Sequence, residues 1–268
     1  MARRRTTLSQ NFLHDPAAVR RIVRAAALAP DDLVVEPGAG EGALTRALAR
    51  SGRRVVAYEL DHRLAAGLPR RLGDLAAGVR VVHGDFLRAD PPREPFAVVG
   101  NIPYSRTADI VRWCLAAPAL TSATLLTQLE YARKRTGGYG RWSLLTVRTW
   151  PEYAWRRGPR VGRAAFTPVP RTDSAVLRLV RRPAPLLPYG RLPAYRAFVE
   201  HGFTGTGGSL AATLSRRHRP ARVRAAFRAL GLDPSLPVGL VHPDHWAELF
   251  RALVLTDPHR RAAPRRPA

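Results

Sequence analysis

Short apolar runs along the chain alternate with longer stretches whose apolar residues recur every three or four positions. That alternation is the pattern of buried strands joined by amphipathic helices. The strand-like runs fall at 33–35, 54–58 (ending at Glu59), 79–82, 96–99 and 123–129. A helix is predicted over about 16–28, with Val19, Ile22, Val23 and Ala26 on one face and Pro16 suited to its first turn. Further helices are expected from the glycine-rich turn after residue 35 to about Ser51, from near Asp61, and over 107–117, where Ile110, Val111, Cys114 and Leu115 share a face. A basic helix begins at Gln128, and two late strands lie near 152–155 and 174–180. The stretch 142–150 is ambiguous: its β-branched residues suggest a strand, while the spacing of Leu144, Leu145 and Arg148 allows a helix.

A proline-rich linker follows over 182–193, then helical patterns over 194–214 (interrupted at 205–208), 220–230 and 243–255. The expected organisation is an α/β domain over 1–182 that includes a basic N-terminal arm, a small helical domain over 183–255, and a disordered Pro/Arg-rich tail over 256–268.

Composition sharpens this picture. Of 268 residues, 46% are hydrophobic, enough for a sizeable core, but 44 Lys+Arg face 20 Asp+Glu for a net charge of +24. Lys134 is the only lysine. An excess this large points to a polyanionic partner, nucleic acid before acidic membrane, because no basic amphipathic helix stands apart from the fold. Cys114 is the only cysteine, which excludes an intrachain disulfide and a cysteine-based metal site. No signal-like apolar stretch or transmembrane run is present, so the expectation is a soluble cytoplasmic protein.

The candidate chemistry gathers at strand ends. The run 96–99 leads into Gly100-Asn101-Ile102-Pro103-Tyr104, where a strand stops and a helix begins, the place where open α/β sheets bind ligands. An amide carbonyl, a stiff turn and a flat aromatic surface suit an exocyclic amine on a planar base. Residues 36–42, Glu-Pro-Gly-Ala-Gly-Glu-Gly, form a glycine-rich turn flanked by Glu36 and Glu41, which repel a pyrophosphate but tolerate a cation. Glu59 stands about twenty residues beyond these glycines, where an acid can hold ribose hydroxyls. Asp85 ends the next strand and can accept from an adenine amine, with Phe86 beside it. Three successive strand ends thus describe a nucleoside-cofactor site without phosphate binders. The stiff loop 166–174 is expected to face this site.

Together, Ser9-Gln10-Asn11-Phe12-Leu13, the glycine-rich turn, Tyr58-Glu59-Leu60-Asp61, Gly84-Asp85-Phe86, the turn at 100–104, Tyr139-Gly140-Arg141-Trp142-Ser143 and Phe166-x-Pro168-x-Pro170 resemble, in order, the rRNA adenine N6-methyltransferases. The segment 126–134 with 140–143 is similar to the erythromycin-resistance (Erm) branch, which modifies 23S rRNA, rather than the housekeeping branch, which dimethylates 16S rRNA. The resemblance implies a Rossmann-like domain with a mostly parallel seven-stranded sheet and a small helical C-terminal domain. It implies S-adenosylmethionine held by Asn11, Leu13, Gly38, Glu59, Asp85 and Asn101, and a flipped adenine held by Asn101, Ile102, Pro103 and Tyr104, with Phe166 over its other face. It also implies no metal, no membrane, a monomer, and 23S rRNA that is protein-free or in an early assembly intermediate. Arg106 and Thr172 depart from the family pattern. A 16S enzyme, a non-catalytic RNA-binding factor and a nicotinamide dehydrogenase are the competing readings, the last disfavoured by Glu36 and Glu41.

Overall fold

The computed structural model describes residues 11–256, and the chain divides into two units. One runs to Arg133 and resumes over Trp155–Arg181; the other comprises Lys134–Ala154 and the chain from Arg182 onward. The strands are β1 (Phe12–Leu13), β2 (Leu33–Pro37), β3 (Arg54–Glu59), β4 (Val79–His83), β5 (Phe96–Asn101), β6 (Leu120–Gln128), β7 (Tyr153–Val161), β8 (Phe166–Thr167) and β9 (Ser174–Arg181). Seven of them form one sheet of order β4-β3-β2-β5-β6-β9-β7. Strands β2 to β6 join through parallel pairings, and β9 runs antiparallel to β6.

Helices α1 (Pro16–Ala26), α2 (Ala43–Ala49), α3 (His62–Leu72), α4 (Thr107–Ala116) and α5 (Leu129–Arg135) connect the strands. Every residue of β2 is buried, as is all of β5 before Asn101, which is why 33–35 and 96–99 read as unbroken apolar runs rather than alternating ones. Asp15 starts α1 by accepting from the Ala17 amide at 2.8 Å, and Asp61 starts α3 by accepting from the Arg63 and Leu64 amides at 2.8 and 3.1 Å. Both helices therefore begin where short acidic side chains satisfy their orphan amides.

The order of strands reverses between β2 and β5. At that switch point the carboxyl ends of two parallel strands converge, and a crevice opens beyond them. Gly100 makes the convergence possible: a Cβ there would stand 2.9 Å from ring atoms of Pro37 on β2. A separate two-stranded ribbon pairs β1 with β8 in antiparallel register, Phe12 opposite Thr167 and Leu13 opposite Phe166.

The second unit contains α6 (Leu144–Thr149), α7 (Leu192–Gly202), α8 (Leu210–Leu214), α9 (Pro220–Ala229) and α10 (Pro243–Phe250), the last continued by a π-helical turn over Arg251–Leu255. Its core includes Val147, Tyr195, Val199, Phe227, Trp246 and Phe250. Residues 134–154, which the sequence placed in the first domain, belong here instead. Val147 is fully buried in this core, the Tyr195 hydroxyl donates to the Val147 carbonyl at 2.9 Å, and the Trp150 indole donates to Asp244 at 2.6 Å. The ambiguous stretch 142–150 is helical, with Ser143 accepting from the Thr146 amide at 3.3 Å. Residues 1–10 and, except for Thr256, the expected tail lie outside the described residues.

Candidate active site

The carboxyl ends of β2, β3, β4 and β5 lie along one edge of the sheet, and each delivers one group that the sequence singled out. After β2 the chain turns through Gly38, whose φ of +74° is a left-handed conformation that side chains resist. The Gly38 and Ala39 amides both donate to the Tyr58 carbonyl at 2.9 Å, which ties the turn to the end of β3.

Glu59 ends β3 and is buried. Its Oε2 accepts from the Gly40 amide at 2.7 Å and its Oε1 from the Asp61 amide at 2.8 Å. Each carboxylate oxygen keeps a further lone pair, so Glu59 both fixes the glycine-rich turn and can still receive donors from a ligand. Asp85, after β4, accepts from the Leu87 amide at 3.0 Å.

Asn101 closes β5. Its Nδ2 donates to the carbonyl of Asn11 at 2.9 Å, and this bond fixes which way the amide faces. The amide carbonyl is left to accept. Next in the chain, the Tyr104 hydroxyl shares a 2.6 Å hydrogen bond with the Ser174 hydroxyl at the start of β9. Burial, with the negative charge of Asp173 and Glu130, pushes the Tyr104 phenol above its ordinary value, while the bond to Ser174 works the other way. A proton on this hydroxyl is held tightly at neutral pH.

Two cavities flank the switch point and share Gly38 and Pro103. The first is bounded by Asn11, Leu13, Glu36, Glu41, Asn101 and Tyr104, with Ile102 in its wall. The second, about 280 Å³, is bounded by Tyr58, Glu59, Asp85, Phe86, Arg106 and Ile110. The second offers two carboxylates beside apolar and aromatic walls, the pattern that suits a flat nucleoside with hydroxyl and amine donors. The first offers an amide carbonyl, an aromatic ring and two further acids, Glu36 and Glu41, with no Lys, Arg or His in its lining among the described residues.

Glu36 is the most unusual group in the site. It is 1% exposed, and its Oε2 meets no hydrogen-bond donor among the described residues. Burial above all, with Glu59 adding repulsion, pushes its carboxyl up to about 8, and Thr45 on α2 offsets part of this. The pair of cavities therefore suits a ligand with a nucleoside at one end and a positive centre at the other. Such a ligand leaves no carboxylate opposed by like charge.

Asn11, Leu13, Gly38, Glu59, Asp85, Asn101, Ile102, Pro103 and Tyr104 all line one or other cavity. Phe166 does not. It is 1% exposed and packs in the core with Leu13, Val19 and Ile22. Alternation along the two-residue strand β8 turns Phe166 inward and leaves Thr167 exposed, so in this arrangement Phe166 anchors β1 instead of covering a base. Arg106 lies at the edge of the nucleoside cavity, with its Nε 3.3 Å from Asp109. Ser174 ends the loop that the sequence expected to face this site, but sequence reading assigned it no role. Only the antiparallel pairing that sets it opposite Gln128 brings it near Tyr104, and no local signal announces that pairing. Among the described residues no group of three or more His, Cys, Asp or Glu is placed to hold a metal ion, and no helix is long and apolar enough to cross a membrane.

Comparison with known proteins bears on this site directly. A family model described as ribosomal RNA adenine dimethylase matches residues 1–254. An rRNA adenine N-6-methyltransferase of Streptomyces fradiae is 56% identical over 252 residues, covering 94% of this chain and 79% of the relative. The mycinamicin-resistance protein MyrB of Micromonospora griseorubida is 39% identical over 247 residues, covering 92% of this chain and 78% of the relative. The crystal structure of the 23S rRNA methyltransferase ErmE superposes with a TM-score of 0.87 at 49% identity, covering 91% of this chain and 99% of that one.

Proposed function

The chain belongs to the ribosomal RNA adenine dimethylase family, and from that premise we propose that it methylates N6 of one adenine in 23S rRNA at the macrolide site, conferring macrolide–lincosamide–streptogramin B resistance. The observation that carries this reading is the fixed amide of Asn101. With its Nδ2 bound to the Asn11 carbonyl, its Oδ1 is the group presented to an exocyclic amine. The names of the Streptomyces relative, MyrB and ErmE support the substrate and the phenotype.

The cavities fit S-adenosylmethionine: two acids line the nucleoside cavity, where Arg106 is the one cation among the described residues and is paired with Asp109, and two more acids, with no described cation, line the cavity for the positive end. Bound there, S-adenosylmethionine would supply an electrophilic methyl group, with the thioether as leaving group and the proton of the methylated amine going to solvent. Every other contribution is positional. Glu59 accepts from the ribose hydroxyls and Asp85 from the cofactor's adenine amine. Gly38 lets the backbone pass close to the ligand, and Asn11 and Leu13 close the cavity from β1. Asn101 and the carbonyl of Ile102 accept from the target amine and aim its lone pair, Pro103 stiffens the turn, and Tyr104 offers its ring to a base taken out of its stack. No residue here is poised as a strong base, and the chemistry needs none.

Expression in a macrolide-sensitive host tests the proposal. The erythromycin inhibitory concentration is expected to rise, and mass spectrometry of rRNA fragments is expected to show N6-mono- or dimethyladenine at one position of 23S rRNA. Modification confined to 16S rRNA, with no change in sensitivity, would assign the chain to the small-subunit branch.

A further inference from the structure

In a chain with 44 Lys+Arg against 20 Asp+Glu, the cavity beside Asn101 contains two glutamates and, among the described residues, no cation in its lining. One of them, Glu36, is 1% exposed, with an oxygen that no donor among the described residues satisfies. The titratable groups around it are Glu59 from β3, Glu41 from the glycine-rich turn and Tyr104 from the turn after β5. On α2, Thr45 stands by it, while the Arg46 guanidinium is committed to the Arg71 carbonyl at 2.6 Å. Among the described residues nothing in this shell neutralises a carboxylate. An ion in such a place takes up a proton unless a positive charge arrives to oppose it.

We infer that Glu36 is a neutral acid in the free protein and gives up its proton when the positive end of S-adenosylmethionine enters the cavity, so that this residue recognises the cofactor by its charge. The carboxyl O–H bond breaks, the proton passes to the solvent buffer, and the carboxylate formed pairs with the ligand's cation. The inference rests on S-adenosylmethionine as the cofactor and adds a proton balance to its binding. The cation is either the sulfonium or the amino-acid ammonium. S-adenosylhomocysteine separates them, because its sulfur is neutral and its ammonium is retained.

The test is calorimetric titration of the full-length protein near pH 7 in buffers of different ionisation enthalpy, which counts the protons released. Wild type and Glu36→Gln are compared, so that titration of the ligand's own amine cancels. Wild type is expected to release about one proton more than the variant per S-adenosylmethionine bound. Its affinity should also rise relative to the variant by up to about tenfold per pH unit below pH 8, the value to which burial and Glu59 push the Glu36 carboxyl. Excess release with S-adenosylmethionine alone identifies the sulfonium as the partner; equal excess with S-adenosylhomocysteine identifies the ammonium. Binding without excess release overturns the inference, and absence of binding even at pH 9 overturns the cofactor reading instead. Difference infrared spectra of the wild type give a readout that needs no variant: a protonated-carboxyl band should disappear on adding cofactor, and its persistence would overturn the inference.

Discussion

Tyr104 is held at both ends, its backbone in the turn after β5 and its hydroxyl on Ser174. The hydroxyl's work is therefore orientation of the ring, since burial holds the proton on the phenol and leaves still less phenolate to act as a base. Tyr104→Phe loses one net hydrogen bond, about 1 kcal/mol, and is expected to lower kcat/KM several-fold. Tyr104→Ala loses the stacking surface, worth about 1–3 kcal/mol, and should cost roughly ten- to a hundredfold or more. Equal losses in both variants, measured by methyl incorporation into RNA, would show that the hydroxyl takes part in the chemistry. Asp85→Ala removes an acceptor for the cofactor, which costs about 1.5–3 kcal/mol, or roughly ten- to a hundredfold in affinity by calorimetry. Glu59→Ala does more, because it also strands the Gly40 and Asp61 amides; its effect on stability and on affinity should appear together. Glu36 carries a stability signature as well. Its carboxyl is raised from 4.5 to about 8 by burial, so between those pH values the unfolded chain has lost a proton that the folded chain keeps. Stability from this group therefore falls as pH rises through that window. Thermal unfolding of Glu36→Gln should show a shallower decline of Tm between about pH 5 and 8 than wild type.

The two-residue strands β1 and β8 decide whether Asn101 is aimed at all, because the carbonyl that fixes its amide belongs to Asn11, immediately before β1. Phe166 and Leu13 secure that ribbon against α1, in the same core as Val19 and Ile22. Phe166→Ala is expected to destabilise the protein by about 3–5 kcal/mol, as truncations of buried aromatics do. Phe166→Leu should keep most of both stability and activity. A stable Phe166→Leu with methylation lost would restore the role over the target base that the sequence suggested. The ribbon also marks where sequence reading fails at this scale. Strands with buried faces and capped helices are written in local periodicity and short polar residues, so β2, β3, β5, α1 and α3 are legible to within a residue or two. A two-residue pairing across more than 150 positions has no period to read. The same is true of Val147, whose apolar character fits either unit and whose partners in the second core come from α7 and α10. The acids and the Asn101 turn were legible because each sits where an apolar run stops, at a strand end. Of Ser174 only its place at the end of a site-facing loop was legible, not its bond to Tyr104.

At the scale of the whole molecule, the net charge of +24 is concentrated in arginine. Some arginines pair with acids, as exposed Arg54 with Glu94 at 2.6 Å, but exposed pairs of this kind contribute little to stability. Many others have no acid to meet. Arg216, Arg217, Arg219, Arg224 and Arg228 are exposed, and none forms an ion pair among the described residues, in a stretch from 203 to 232 that contains no Asp or Glu. Such a surplus repels itself in the free protein and is relieved when phosphates displace the counterions between them. RNA affinity should therefore be mainly electrostatic and fall linearly with the logarithm of salt, by about 0.7 per phosphate neutralised. With about six contacts the slope is near −4, a loss of a few hundredfold between about 50 and 200 mM salt. Of the acids that line the two cavities, Glu36 and Glu59 are buried and Asp85 is half-buried, with Glu41 exposed, so screening is weak for most of them and cofactor affinity should change little over the same range. Parallel titrations of RNA, by filter binding, and of S-adenosylmethionine, by calorimetry, separate the two. A flat RNA response would place the arginines away from the RNA, and a steep cofactor response would mean that the glutamates lining the cavities act through solvent rather than by contact.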